Sequence, residues 1–283
     1  MWCRNCRKVG KINATKIIKY MYIRSPIAAG TFYPDNPQEL KQMVELFIRQ
    51  SSVRKLEDSP KGLIVPHAGY VYSGIVAASA YKAIQDKEFS SVILLGPSHH
   101  FVFPNFVFSP PGYWETPLGR VETLSLNNFT SVVYPELFQQ SVRIHQPEHC
   151  LEVQLPFLQV IKKEFKIFPL LVGDIDIEKG SRALLSLLRN PDSLLIVSSD
   201  LSHYLSFEDA RRVDKVTLDA ILANDRQRFE QFGEACGKTA ISLLLEIAAQ
   251  HNWRPVLLRA MNSGETAGGK EQVVGYASVV FIK

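Results

Sequence analysis

Three short hydrophobic runs of the chain each lead into a histidine. The runs cover residues 62–66, 91–96 and 193–197. Each is almost continuously apolar and bounded by turn residues, which is typical of a strand that is buried on both faces of a parallel sheet. The histidines that follow the runs are His67, His99 and His203. Because ligands of open α/β sheets bind beyond the carboxyl ends of the strands, we expect these histidines to converge on one crevice.

Helical patterns separate the predicted strands. Asn36 can cap a helix that begins at Pro37, and apolar residues follow at helical spacing. A second helix is predicted from Ser73, directly after the first strand, which makes a strand–helix–strand unit. Further helices are predicted over residues 153–161, 178–189, 207–224 and 239–250, with a weaker one near 126–139.

The remaining segments have strand or turn patterns. Residues 166–172 are a predicted strand, residues 101–108 indicate edge structure, and residues 114–119 indicate a loop or turn. Two β-rich runs near the end, residues 255–261 and 273–282, are predicted to be antiparallel neighbours. Alternating strands and helices predict an α/β fold with a mostly parallel central sheet that is flanked by helices. Since no linker is visible, we expect residues 21–283 to form a single domain.

Charge and composition narrow the class of protein. Residues 1–20 hold six of the 32 basic residues and no acidic one, so the rest of the chain has 26 basic and 28 acidic residues. We expect residues 1–20 to be a disordered tail or a misplaced start, and the remainder to bind no nucleic acid. No apolar stretch approaches the ~18 residues that span a bilayer, so no membrane insertion is expected. Four scattered cysteines and no secretory signal indicate a reducing cytoplasm.

A thiol close to a predicted helix start can complete a metal site with the histidines. Imidazoles suit iron, copper, zinc and nickel, but two histidines leave an ion under-coordinated. Cys236 is the best further ligand, because it directly precedes the predicted helix at residues 239–250, where a thiol loses its proton more readily. For His251 and His100 a structural role is the simpler interpretation.

Several longer motifs occur in order from Ile27 onward. They are Ala29-Gly30-Thr31-Phe32-Tyr33, Pro66-His67-Ala68-Gly69-Tyr70, Gly96-Pro97-Ser98-His99-His100, Thr116-Pro117-Leu118, Glu148-His149 with Leu151-Glu152, Val197-Ser198-Ser199-Asp200-Leu201-Ser202-His203, and Cys236-Gly237. With these motifs the chain resembles the Memo family, whose prokaryotic members are called AmmeMemoRadiSam system protein B. The resemblance covers nearly all of the chain except residues 1–20.

The resemblance implies a fold and a set of site residues. The family fold is similar to that of class III extradiol dioxygenases, which hold iron(II) with two histidines and a carboxylate. His67, His99 and Cys236 match the family's metal ligands, and His203 matches the acid/base histidine. The residues implied to support the ligands or to line the pocket are Asp200, Glu148, His149, Tyr70 and His100. Iron(II) or copper is the implied cofactor, with zinc as a further candidate.

Three functions are compatible with these residues. The first is a metal-dependent oxidoreductase in which His203 is a general acid/base. The second is a non-enzymatic protein that binds a redox metal and acts through protein partners, which the thiolate in the carboxylate's place favours. The third is a hydrolase with Cys236 as nucleophile, activated by His203. The resemblance also implies a radical S-adenosylmethionine protein and a third component as partners. Cys150 replaces the family's usual serine and would add a second thiol if it faced the crevice.

Overall fold

The fold is a large central sheet with helices on both faces. The computed structural model describes residues 21–53, 56 and 58–283, so the prediction for residues 1–20 lies outside the described residues. The strands are β1 (Tyr22–Arg24), β2 (Pro60–Val65), β3 (Ser91–Gly96), β4 (Phe106–Phe108), β5 (Gly112–Thr116), β6 (Gly119–Thr123), β7 (Phe138–Gln140), β8 (Lys166–Val172), β9 (Ser193–Ser198), β10 (His203–Leu205), β11 (Arg254–Asn262) and β12 (Val273–Ile282). The helices are α1 (Pro37–Gln50), α2 (Tyr70–Ile84), α3 (Val142–His145), α4 (Leu155–Ile161), α5 (Ile177–Leu187), α6 (Phe207–Leu222), α7 (Arg226–Phe232) and α8 (Lys238–His251).

The centre of the sheet is parallel. Its strand order is β1-β5-β6-β8-β3-β9-β2-β12-β10, and β11 pairs with β12. Strands β8, β3, β9 and β2 are parallel neighbours, whereas β12 runs antiparallel to β2, β10 and β11. The predicted α/β fold, with a mostly parallel sheet and an antiparallel pair of late strands, is confirmed. None of the helices in the described part of the chain is long and apolar enough to cross a membrane.

The central strands are buried on both faces, as their apolar runs predicted. Alternate residues of β2, β3 and β9 belong to two hydrophobic cores, one on each side of the sheet. The first core contains Leu63, Val92 and Leu194 and receives α1, α2 and α4, while the second contains Ile64, Ile93 and Leu195 and receives α5, α6 and α8. Helix α1 begins as predicted, because the Asn36 side chain accepts hydrogen bonds from the backbone N–H groups of Gln38 and Glu39.

One local prediction holds only in part and another was wrong. Residues 114–119 contain the predicted turn, at residues 117–118, but the residues on either side of it belong to the strands of a hairpin, β5 and β6. The weaker helix near residues 126–139 does not form: two 3₁₀ turns and strand β7 occupy this stretch. Ser131 and Tyr134 have positive φ angles of 57° and 52°, and Pro135 follows, so an α-helix cannot run through this segment.

The parallel register brings three chain segments to one edge. Val65 of β2 lies opposite Ser198 of β9, and Leu95 of β3 lies opposite Val197 of β9. The residues that follow these strands therefore meet at the carboxyl edge of the sheet. The loop before α4 and the residues before α8 reach the same edge, as the contacts of His149 and Cys236 below show.

Candidate metal centre

Three imidazole rings converge at the carboxyl edge of the sheet. Ring nitrogens of His67, His99 and His149 lie within 4.8 Å of one another. The ring centroids are 5.2 Å apart for His67 and His99, 5.7 Å for His67 and His149, and 4.9 Å for His99 and His149. The convergence of His67 and His99 follows from their strands. His149, expected to support the ligands or line the pocket, is instead a member of this group, whereas His203 is not.

His67 is held in one tautomer by a chain of hydrogen bonds. Its Nδ1 lies 3.1 Å from Ser198 Oγ. That hydroxyl donates its only hydrogen to the Cys150 carbonyl at 2.7 Å and accepts from Gln154 Nε2 at 2.8 Å. His67 Nδ1 must therefore be the donor to Ser198, which leaves the lone pair on Nε2 for a ligand. Burial, followed by the nearby His99, lowers the pKa of His67 to about 3, so the ring is neutral.

One carboxylate orients the other two histidines. Glu148, only 1 % exposed, accepts from the His99 backbone N–H at 2.7 Å and from His99 Nδ1 at 3.0 Å. His149 Nδ1 lies 3.4 Å from the same carboxylate, and the Cys150 N–H donates to it at 3.0 Å. Burial alone would raise the pKa of Glu148, but these hydrogen bonds outweigh it and hold the pKa well below the ordinary value. Metal-binding histidines are commonly oriented by a carboxylate in this way.

The same carboxylate distinguishes His99 from His149. The hydrogen bond to Glu148 raises the pKa of His99 despite partial burial. His149 has only the longer contact, so burial and the neighbouring His67 lower its pKa to about 4. Phe32 packs on the His149 ring with a centroid distance of 4.3 Å. The motif around Phe32 thus forms one wall of the site.

Cys236 lies beside His67. Its Sγ is 3.2 Å from His67 Nε2 and accepts a hydrogen bond from the Asp200 N–H at 3.2 Å. Burial, with the Asp200 charge as a second cause, raises the pKa of Cys236 to about 12, so the thiol is protonated at neutral pH. A Cβ on Gly237 would lie 2.8 Å from Ser199 Cβ and 3.1 Å from the Ser198 carbonyl. The absence of a side chain at Gly237 therefore lets Cys236 approach the end of β9.

Asp200 is a buried carboxylate next to the same pair. One oxygen accepts the His67 N–H at 2.8 Å, and the other lies 3.9 Å from His67 Nε2. Burial raises the pKa of Asp200 to about 6, against the opposing hydrogen bond from His67. Asp200 therefore fixes the backbone of His67 and adds an oxygen donor at the edge of the site.

The other predicted residues lie in different surroundings. His203 is half-buried and its Nδ1 donates to the Leu201 carbonyl at 2.8 Å. Tyr70 is buried and its hydroxyl donates to the Val153 carbonyl at 2.6 Å, so it supports the loop that follows His149. His100 is exposed. Cys150 is fully buried and donates to the Pro97 carbonyl at 3.2 Å, and it forms a second close group with His99 and Glu148.

A buried ion pair, which the sequence pattern did not indicate, holds the His149 loop. Arg24 and Glu152 form this pair with both side chains fully buried. Arg24 also donates to the carbonyls of Glu148 at 2.7 Å and His145 at 3.2 Å. Glu152 in turn accepts the N–H of Ala28 at 2.8 Å. The pair joins β1 and the entry segment to the loop that carries Glu148 and His149.

Comparison with known proteins identifies the family. A family model described as "Memo-like protein" matches residues 24–280. The chain belongs to this family. It is 36 % identical over 273 residues to a MEMO1 family protein of Aquifex aeolicus, covering 93 % of this chain and 100 % of that protein. A MEMO1 family protein of Thermoplasma volcanium is 35 % identical over 268 residues, which cover 91 % of this chain and 98 % of that protein. A MEMO1 family protein of Nitrosopumilus maritimus is 34 % identical over 280 residues, which cover 92 % of this chain and 100 % of that protein. As a member of the Memo-like family, the chain shares nearly its whole length with these relatives.

Proposed function

We propose that this Memo-like protein binds a transition-metal ion through His67, His99 and Cys236, with His149 as a fourth donor, and takes part in redox chemistry. The convergence of three imidazoles carries the proposal. The Nδ1 atoms of His67 and His99 are hydrogen-bonded to Ser198 and Glu148, so these two rings present Nε2 as the remaining donor, and His149 Nδ1 lies 3.4 Å from Glu148. A metal ligand needs this arrangement: a neutral imidazole in a fixed tautomer.

The donor set favours iron or copper, with zinc as a further candidate. Imidazole suits all three ions, and a thiolate favours the softer ones. When bound, such an ion would supply electron-transfer or Lewis-acid chemistry. The chain's own groups would act around it. Glu148 would orient His99 and His149, and His203, whose Nδ1 is held by the Leu201 carbonyl, would accept or return a proton through Nε2.

A cysteine hydrolase is less well supported. The hypothesis requires His203 as the base, but among the described residues Cys236 Sγ has no hydrogen bond to His203, and the imidazole beside it is that of His67. The pKa of Cys236 is about 12 and that of His67 is about 3, so His67 cannot take the thiol proton. A free thiolate nucleophile needs a base of closely matched pKa or a stabilising positive charge. Without a metal, the pair is a neutral thiol next to a neutral imidazole.

A non-enzymatic metal carrier is the second candidate, and Cys236 favours it. A thiolate donor is itself oxidisable and suits copper(I) as well as a catalytic iron. In a carrier His203 would have no role in proton transfer. The radical S-adenosylmethionine protein and the third component stay predictions of the resemblance for either function.

The direct experiment is metal analysis of the full chain after anaerobic purification. We expect one ion of iron, copper or zinc per chain. Alanine in place of His67, His99 or Cys236 should abolish tight binding, because the remaining donors make an incomplete site. His251→Ala is the matched control and should bind as the wild type does.

The outcome for each variant is diagnostic. If Cys236→Ala holds iron or copper as tightly as the wild type, Cys236 is not a ligand. If His149→Ala holds the ion as tightly as the wild type while His67→Ala and His99→Ala do not, His149 lines the site without binding the ion. A wild-type chain that remains metal-free after loading with each of the three ions contradicts the proposal.

A further inference from the structure

A buried carboxylate on α6 lies behind the segment that leads into His203. Asp214 is 8 % exposed, and its Oδ1 accepts a hydrogen bond from the Ser202 N–H at 3.0 Å. An apolar residue would dock α6 on the sheet at a lower cost, because burying a carboxylate is unfavourable unless it is hydrogen-bonded. Most other buried residues of this helix are indeed apolar: Ala210, Leu218, Ala220 and Ile221. The carboxylate of Asp214 therefore has a reason beyond helix docking.

Gly275 of β12 makes room for this carboxylate. A Cβ at Gly275 would lie 1.9 Å from Asp214 Oδ2 and 2.6 Å from Oδ1, so a side chain here would displace the carboxylate. The Gly275 backbone also holds the segment before His203. Its N–H donates to the Ser202 carbonyl, and its carbonyl accepts the Leu201 N–H, both at 2.8 Å. Strand β12 and Asp214 together fix the backbone of Leu201 and Ser202.

A single peptide unit joins Asp214 to the His203 ring. His203 Nδ1 donates to the Leu201 carbonyl at 2.8 Å, and the Ser202 N–H donates to Asp214. That carbonyl and that N–H belong to the same planar peptide unit. Two hydrogen bonds therefore act in series, one from the imidazole to the carbonyl and one from the N–H to the carboxylate.

Hydrogen bonds in series strengthen each other. The gain is about 10–30 % per bond, and a bond with an ionised partner is stronger than one between neutral groups. Burial raises the pKa of Asp214 to about 6, against the opposing hydrogen bond from Ser202, so the carboxylate is ionised at neutral pH. Its charge polarises the peptide unit and makes the Leu201 carbonyl a better acceptor for the imidazole N–H.

His99 shows the direct form of the same arrangement. Glu148 accepts the hydrogen bond from His99 Nδ1 itself at 3.0 Å, with no peptide unit between the two side chains. A carboxylate commonly fixes the tautomer and the direction of a functional histidine in this way. For His203 the nearest equivalent is Asp214, one peptide unit away.

We propose that Asp214 is the positioning residue of His203, and that its charge acts through the peptide unit between Leu201 and Ser202. It fixes the direction of the imidazole and keeps a hydrogen on Nδ1, so that Nε2 is the atom that exchanges a proton. The inference rests on the proposed acid/base role of His203. The placement of the hydrogen, however, can be measured without metal and without turnover.

Long-range ¹H–¹⁵N NMR of the full chain, labelled at histidine, tests the proposal. The chemical shifts of the two ring nitrogens report which of them carries the hydrogen, and the spectrum of His203→Asn identifies the His203 signals. At pH ~9, where an ordinary imidazole is neutral, the wild-type ring should carry its hydrogen on Nδ1.

Two variants of Asp214 separate its hydrogen bond from its charge. Asp214→Ala removes both and should lower the ratio of the Nδ1–H to the Nε2–H tautomer of His203 about fivefold. Asp214→Asn keeps an oxygen that can accept the Ser202 N–H but has no charge, and it should lower the ratio about twofold.

Asp219→Ala is the matched control. Asp219 lies on the same helix, but its side chain is 40 % exposed and pairs with Lys215. This variant should leave the tautomer ratio of His203 unchanged. The signals of the other histidines at the carboxyl edge should keep their positions in every variant, and the melting temperature of each variant shows that it is folded.

An unchanged ratio in Asp214→Asn would overturn the proposal whatever Asp214→Ala does, because the charge would then have no effect on the ring. An equal change in Asp219→Ala, or an equal displacement of the His67 and His99 signals, would also overturn it, since the effect would not be specific to His203. None of these results decides whether His203 transfers a proton. His203→Ala tests that role separately, so a failure of one inference is distinguishable from a failure of the other.

Discussion

The two halves of the candidate metal centre are built in different ways. The strand half consists of His67, Ser198, Asp200 and Cys236, which lie at strand ends or against them. The loop half consists of His99, Glu148 and His149, which lie on the loops after β3 and before α4. His67 is 2 % exposed, whereas His99 is 32 % exposed. One half is thus fixed by the sheet, and the other depends on a buried carboxylate.

Because of this difference, the two halves control different properties of the site: the protonation of its donors and the alignment of its ligands. In the strand half burial keeps the metal donors neutral, with the pKa of His67 at about 3 and that of Cys236 at about 12. In the loop half hydrogen bonds keep Glu148 ionised although it is buried, and Glu148 sets the orientation of two rings. The strand half should therefore control how metal binding depends on pH, and the loop half should control how well the ligands are aligned.

The largest expected effect concerns the proton on Cys236. A metal must displace that proton, since the thiol stays protonated at any pH below about 12. Loss of the Cys236 proton should therefore contribute about tenfold per pH unit to metal affinity between pH ~8 and ~9, where His67 and His149 are already neutral. Competition titrations with a chelator at several pH values measure this slope.

The matched variant is Cys236→Ala, which should bind more weakly and with a slope that is lower by about one proton. If the slope is the same in both proteins, Cys236 does not lose a proton to the metal. The strand half would then have no special part in the pH dependence.

Glu148→Gln should have the next largest effect. Glutamine keeps the shape but loses the charge. Its single oxygen can replace Oε1 against the two imidazoles, but its N–H₂ group then faces the His99 backbone N–H that Oε2 accepts, so His99 and His149 are held less firmly. Metal affinity should fall about 10- to 100-fold. Chelator competition measures the loss, and the exposed Glu136→Gln is the control. Unchanged affinity would show that Glu148 does not align the rings.

The stability of the same variant should depend on pH. Glu148 has a lowered pKa in the folded protein, so its stabilising contribution is present above the ordinary carboxylate pKa of ~4.3 and is lost as pH falls through the folded pKa. Glu148→Gln should cost about 2 kcal/mol in the free energy of unfolding at pH ~7 and much less at pH ~2. Urea unfolding at both pH values tests this. A cost that stays constant with pH would mean that Glu148 is not ionised in the folded protein.

Ser198→Ala should have a smaller effect on metal affinity, because Ser198 engages one imidazole whereas Glu148 engages two. The change leaves His67 Nδ1 without its acceptor, and we expect affinity to fall about three- to tenfold. Ser193→Ala, at the other end of β9, is the matched control. A larger loss of metal affinity for Ser198→Ala than for Glu148→Gln would show that the strand half contributes more to ligand alignment than the loop half does.

The two halves also differ in how far the sequence predicts them. The apolar runs before His67 and His99 predicted buried parallel strands, and the register of those strands places both histidines at one edge. The position of His149 depends on the Arg24–Glu152 pair, whose members are 128 residues apart. Arg24 lies in a three-residue strand with no periodic pattern, so nothing local shows that it is buried. The contacts of Ser198, which lies inside a motif, and of Gln154 were not predicted, because the sequence does not show which polar atom each side chain will meet.

His203 gives the smallest expected effect on metal binding and the clearest separation of enzyme from carrier. It is outside the group of His67, His99 and His149, and its Nδ1 donates to the Leu201 carbonyl. His203→Ala should therefore keep metal affinity within about tenfold of the wild type.

Turnover should respond differently. A general acid/base group typically contributes ~10²–10⁴-fold in rate, so His203→Ala should lose most activity in any metal-dependent redox assay that the wild type supports. Tyr204→Phe, at an exposed neighbour, is the control. If His203→Ala loses the metal as thoroughly as His67→Ala does, His203 is a ligand and belongs with the strand half. If it keeps both metal and full activity, no proton passes through His203, and the carrier function becomes the better explanation, because the strand and loop halves alone would then account for everything the site does.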